Sequence, residues 1–210
     1  MNTFRRYRKE FLSNTSPRTN IINWIISNRN YKRYLEIGVF DPNKNFNKIK
    51  IPFKISVDPG KEGLSEATYT LTSDEFFKQN TEKFDIIFID GLHESEQVYI
   101  DIMNSLDALE DGGTILTHDM NPQKKRSQVV PQVPGLWNGD CWKAFVKIRT
   151  EFDNLKMNVI DHDWGVGVIR RGQQELLKNV NYTYEDFDLN RNEWLNLISF
   201  KNFKNEFYAE

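Results

Sequence analysis

The stretch FDIIFIDGLHESEQVYID, Phe84 to Asp101, decides how this chain reads. Its apolar run Phe84–Ile89 has the length of a buried strand, stops at Asp90, and is followed at once by Gly91, Leu92 and His93. Beyond it Val98, Ile102, Leu106 and Leu109 recur at spacings of four and three, the apolar stripe of a helix lying on a sheet. A buried strand followed by such a helix is one unit of a parallel sheet covered on both faces.

Working outward, the same alternation recurs. RTNIINWIISNRN predicts a helix leading into the strand YLEIGV (34–39), and FKISVD is a second strand ending at Asp58. ATYTLT (67–72) is a third, followed by the helix SDEFFKQN with Thr72 and Glu75 as its capping box. GGTILTHD (112–119) is the fifth strand, after the quoted one. Strands separated by helices imply a parallel sheet with right-handed crossovers. Residues 120–139 carry three of the seven prolines and no period, so they read as a lid loop. Asp140 is a candidate cap for the helix CWKAFVKIRTEF. LKMNVIDHD and WGVGVIRRG are then joined too tightly for a crossover helix, which makes them an antiparallel hairpin. The expected organisation is an N-terminal helical segment (1–33), a main domain (34–171) and a C-terminal helical tail (172–210). Trp194, Leu195, Leu197 and Ile198 in that tail either cover the core or meet a second copy in a homodimer.

A chain of 210 residues suits one domain with a full core. Twenty-eight basic against thirty acidic residues leave a net charge of -2 and no global field for nucleic acid or an anionic membrane. The basic cluster RRYRK near the N-terminus lacks the aromatic interleaving of a nucleic-acid surface. No apolar run approaches 18 residues, so a cytoplasmic protein is expected. A single cysteine, Cys141, excludes disulfide frameworks and CxxC metal sites, and leaves oxygen or imidazole ligands for any metal.

In open α/β sheets, ligands bind beyond the carboxyl ends of the strands. The residues there are Glu36 and Gly38, then Asp58, Ser73 with Asp74, Asp90 with His93, His118 with Asp119, and Asp161 to Asp163. All three histidines of the chain fall in that set. The first turn, EIGVFDPNKNF, has one glycine with acidic residues around it, where a pyrophosphate would need several close amides. It suits a positively charged ligand better. Asp58 lies twenty residues past Gly38, the spacing at which a strand-end carboxylate receives ribose hydroxyls. An adenosine without phosphates fits both. The plain alternatives are tight turns at Gly38 and Asp58 and a helix cap at Asp90.

YLEIGV, SVDPG, TSDEFF, FDIIFIDGLHESEQVYIDI, LEDGGTILTHDMNP, WNGDCWKAF and DWGVGVI together resemble, in order, the class I S-adenosylmethionine-dependent methyltransferases, over roughly residues 17–171. The nearest likeness is a bacterial branch met beside surface-polysaccharide genes. The resemblance implies a Rossmann-like α/β sheet of seven strands, mostly parallel with an antiparallel C-terminal hairpin strand, and helices on both faces. It puts Glu36 and Gly38 in the cofactor loop, Asp58 on the ribose, and Ser73 and Asp74 by the adenine, with Asp90 also near the cofactor. The D-x-x-H of Asp90 and His93 is similar to metal-assisted O-methyltransferases of macrolide sugars, in which the aspartate is a metal ligand and the histidine the base. Asp119 stands where those families carry a further ligand, which implies Mg or Mn.

The chemistry suits such a role. A sugar hydroxyl must lose its proton as it attacks a sulfonium methyl, and a histidine accepts protons at neutral pH. For a small-molecule or glycan acceptor, the expected contacts are Trp137, Asn138 and Trp142, with Asp140, His118 and Arg18 beside them. Arg18 and the basic knot Lys124, Lys125 and Arg126 would meet an anionic group. Two competing readings are an NAD(P)-dependent oxidoreductase, which lacks its glycines and a Tyr-x-x-x-Lys pair here, and a non-catalytic binding module.

Overall fold

The computed structural model describes residues 16–60 and 66–208, so the cluster RRYRK lies outside the described residues. Contacts divide the chain into two compact units. One runs to Leu92 and takes in Ile100–Leu116; the other comprises His93–Tyr99 and everything from Thr117. Strands β1 (Arg33–Ile37), β2 (Phe53–Val57), β3 (Phe84–Ile89), β4 (Leu109–Thr117), β5 (Leu155–Ile160), β6 (Val166–Arg171) and β7 (Leu197–Ile198) form one sheet in the order β2-β1-β3-β4-β6-β5-β7.

In the first unit, helix α1 (Pro17–Arg29) starts where the Ser16 side chain accepts the Thr19 N–H, with proline in the first turn, and ends at Asn30 in the left-handed conformation. Ile21, Ile22, Ile25 and Ile26 are its buried face. Strand β1 (Arg33–Ile37) runs between β2 (Phe53–Val57) and β3 (Phe84–Ile89), parallel to both, with Leu35 opposite Ile55 and Ile87. The Asp85 carboxylate holds the entry to β1 by accepting the N–H groups of Lys32 and Arg33 at 2.7 and 2.9 Å. Beyond the strand ends the ladder continues through Gly38 N–H to Val57 and Asp90 N–H to Ile37, both 2.8 Å. Three neighbouring turns are thereby tied together at one edge.

Helix α2 (Ser73–Gln79) has the capping box expected from Thr72 and Glu75. The strand expected over 67–72 is absent: only Tyr69 pairs, in a single parallel bridge to Val57. No residue of the segment is buried and it has no apolar face to bury, so pairing stops after one residue. Helix α3 (Ser95–Asp107) buries Val98, Ile102 and Leu106, whereas Leu109 opens strand β4 (Leu109–Thr117).

In the second unit, helix α4 (Cys141–Glu151) buries most of its length around Trp142 and Phe145. Strands β5 (Leu155–Ile160) and β6 (Val166–Arg171) form the antiparallel hairpin that the short junction demanded, Val159 facing Gly167. The tail does more than add helices α5 (Tyr184–Trp194) and α6 (Phe200–Tyr208). Between them β7 (Leu197–Ile198) pairs in parallel with β5, and Trp194 and Leu195 are buried within the chain. Two residues of strand give too short an alternation to be read from sequence. Among the described residues no helix is long and apolar enough to cross a membrane.

Candidate active site

The first unit gathers acidic groups at the ends of β1, β2 and β3. Gly38, at φ +86°, brings its Cα against the backbone of Asp90 and Gly91, so closely that any side chain would collide with the Asp90 carbonyl. The Asp58 carboxylate accepts Val39 N–H with one oxygen and Gly60 N–H with the other, each at 2.7 Å. A carboxylate has about four lone-pair directions, so acceptor capacity remains on Asp58 for further donors. Ser73 and Asp74 occupy the first turn of α2, with Asp74 exposed. Phe40 and Leu92, in the turns after β1 and β3, expose apolar surface at 55% and 54%. Neither stood out in the sequence; the available signal was a bulky apolar residue in an otherwise polar strand-end turn.

Glu36 is only 3% exposed. Its Oε2 accepts the Tyr34 hydroxyl at 2.6 Å and the Asn45 amide at 3.1 Å, and Asn45 in turn accepts from Thr19 on α1 at 2.7 Å. Burial pushes the Glu36 carboxyl up to about 7 and pushes the Tyr34 hydroxyl well above its ordinary value. Glu36 therefore ties β1 to α1 through the chain's own donors. Arg18, expected to meet an anionic ligand, instead reaches Asp90, with Nη1 at 2.6 Å from Oδ2. The pair is largely shielded, with side-chain exposures of 22% and 17%.

The second unit gathers imidazoles and carboxylates. Asp119, in a left-handed conformation after β4, accepts His118 Nδ1 at 3.0 Å and the Asn138 amide, and its Oδ2 lies 3.4 Å from His93 Nδ1. On its other side His118 Nε2 is 3.6 Å from Asp163 Oδ1. Asp119, Asp163 and His118 are all buried. Asp163 belonged to a hairpin junction with no expected role. Its signal was the D-W-G turn: Asp163, Trp164 and Gly165 all have positive φ, and Gly165 and Trp164 carbonyls receive Met120 and Asn121 N–H.

The lid contributes Trp137, stacked on the His93 ring at 5.3 Å between centroids and 19° between planes. Its indole N–H donates to the Val129 carbonyl at 2.6 Å. Asn138, expected to touch the acceptor, is buried and donates to Asp119. Trp142 is a clear correction. It is fully buried, stacked 4.2 Å from Phe187 and donating to Gln128, so it belongs to the core of its unit. Lys125 pairs with Glu185 at 2.6 Å, and Arg126 donates to the Pro134 carbonyl, so this part of the basic knot has partners within the chain.

Residues 35–120 match the sequence model of a family described as a methyltransferase domain. The match runs from within β1 to just beyond β4. No curated protein matches the chain. Among solved structures it is similar to an O-methyltransferase from Bacillus cereus solved with S-adenosylhomocysteine. The identity is 10% and the TM-score 0.54, over 80% of this chain and 89% of that one. It is also similar to a Podospora anserina methyltransferase, at 18% identity and TM-score 0.51, over 81% and 86% of the two chains. A third is the Streptomyces achromogenes O-methyltransferase TomG, at 13% and 0.52, over 80% and 86%. At these identities the likeness shows the class I methyltransferase fold, as the ordered motifs implied.

Proposed function

We propose that this methyltransferase moves a methyl group from S-adenosylmethionine to a hydroxyl of a carbohydrate or similar small molecule, with His93 as general base. The observation that carries the reading is the setting of His93: a carboxylate oxygen of Asp119 faces Nδ1, and an aromatic ring lies over the imidazole. A carboxylate at Nδ1 favours the tautomer with the proton there, which assigns the acceptor role to Nε2. At 3.4 Å the contact is longer than a good hydrogen bond, a common state for catalytic contacts before substrate tightens them.

S-adenosylmethionine supplies an electrophilic methyl on a sulfonium. The residues that would hold it are those of the first unit: Asp58 toward the ribose, Phe40 and Leu92 as apolar surface, and Ser73 and Asp74 by the base. Among the described residues of these strand ends, no turn offers the several close amides of a pyrophosphate cradle. In the second unit, half-buried Trp137 offers a flat apolar surface beside the base, which suits the face of a sugar.

His93 and Asp119 of the second unit offer an imidazole and a carboxylate, donors chemically suited to Mg or Mn, and Asp90 of the first unit is a further carboxylate of that type. An ion held there would polarise the acceptor hydroxyl. It would compete with the contacts these groups already make, Arg18 for Asp90 and Asn138 with His118 for Asp119.

Calorimetry with S-adenosylmethionine and with NAD tests the cofactor, and methyl transfer to a panel of sugars tests the acceptor. Binding of NAD in place of S-adenosylmethionine would overturn the reading.

A further inference from the structure

Four consecutive residues at the end of the lid and the start of α4, Trp137-Asn138-Gly139-Asp140, engage His93, the segment that carries it, or the carboxylate that faces it, each differently. Trp137 stacks on the imidazole. Asn138 donates to Asp119, the carboxylate facing His93 Nδ1. Gly139, at φ +64°, lies so close to the His93 carbonyl oxygen that no side chain fits between them. Asp140 leaves its own helix uncapped and accepts Ser95 N–H at 2.7 Å and Ser95 Oγ–H at 3.2 Å, at the first residue of α3.

We infer that Trp137-Asn138-Gly139-Asp140 is a clamp that positions His93 and selects its tautomer, and that Asn138 and Asp140 are positioning residues rather than acceptor contacts. This rests on His93 being the base. Each contact fixes a different degree of freedom. The cap at Ser95 sets where α3 begins, hence where the backbone two residues earlier must turn. The Gly139 approach sets the height of the His93 backbone. The indole face restricts rotation of the imidazole about its χ angles. Asn138 holds Asp119 so that its oxygen meets Nδ1 and not Nε2, an arrangement of orienting partner and base that general-base catalysis requires. Asp140 is itself held by Lys143 Nζ at 3.0 Å, which keeps its carboxylate aimed.

The test reads the imidazole directly. With only three histidines in the chain, protein labelled with 15N-histidine gives three sets of ring signals in long-range 1H–15N spectra, assigned by His→Gln variants. At about pH 8.5, well above the ordinary histidine pKa, His93 is expected as the Nδ1–H tautomer. Asn138→Ala and Trp137→Leu should mix or broaden that signal and lower kcat by about 10²-fold at unchanged S-adenosylmethionine affinity. Asp140→Ala should act likewise, while Asp140→Asn, an equally good cap, should restore kcat to within about threefold. Trp137 is half-exposed, so Trp137→Leu keeps the test open if a buried variant fails to fold. An Nε2–H tautomer for His93, or ring signals untouched in both Asn138→Ala and Trp137→Leu, would overturn the clamp. Failure to bind S-adenosylmethionine would instead sink the methyltransferase reading, and it leaves the tautomer result standing on its own.

Discussion

Asp140 stands at the start of helix α4 and caps helix α3: its carboxylate receives both the N–H and the hydroxyl of Ser95, 45 positions away. The cap belongs to a helix whose preceding loop holds His93, so the stability of one helix start and the aim of the base are coupled. Asp90, the nearer aspartate and the obvious local candidate for that cap, is paired with Arg18.

His93→Ala should leave S-adenosylmethionine affinity intact and lower methyl transfer by about 10²- to 10⁴-fold. Asp119→Asn takes away the carboxylate that orients the imidazole and should lower kcat by about 10²-fold. Single-turnover transfer measured across pH checks both, and unchanged turnover in His93→Ala removes that residue from the chemistry.

Glu36 predicts a pH dependence of stability. Its folded value of about 7 exceeds the ordinary 4.5. The folded chain then holds a proton that the unfolded chain releases, so this contribution is full below about 4.5 and is lost as pH rises to about 7. The span corresponds to roughly 3 kcal/mol. Glu36→Gln keeps an oxygen acceptor for Tyr34 and Asn45 and should abolish the slope; urea melts at pH 5 and pH 8 measure it. A wild-type slope that persists in Glu36→Gln assigns the dependence elsewhere.

Arg18→Met leaves the largely shielded Asp90 carboxylate without its guanidinium and should destabilise the chain by about 1–3 kcal/mol. If Asp90 is a metal ligand, the same substitution should tighten Mn binding, because the competing cation is gone. Thermal melts and Mn titration of the variant separate the two effects. Full activity of wild type in excess chelator would confine Asp90 and Asp119 to charge pairing.

Trp142→Ala should cost about 3–5 kcal/mol, as truncation of a buried indole does, through loss of its stack with Phe187 and Trp194. A variant of wild-type stability with a raised acceptor KM would return Trp142 to the ligand site.

The sequence by itself determined the alternation of strands and helices, because continuous apolar runs and 3.6-residue stripes are local signals. It also placed Glu36, Gly38, Asp58, Asp90, His93, His118 and Asp119 at strand ends, since a polar residue that stops an apolar run marks where a strand leaves the core. The tight junction at 161–164 announced the hairpin. Two local signals misled: the threonine-rich 67–72 has strand propensity without a face to bury, and Trp142 beside a polar loop looked like a ligand contact. Only the tertiary structure decided partners. That Arg18 meets Asp90 across 72 positions, that Asp163 flanks His118, that Asn138 serves Asp119 and that Asp140 caps α3 all depend on which chain segments the sheet brings together. Side-chain type fixes what a residue can donate or accept; the fold alone fixes to whom.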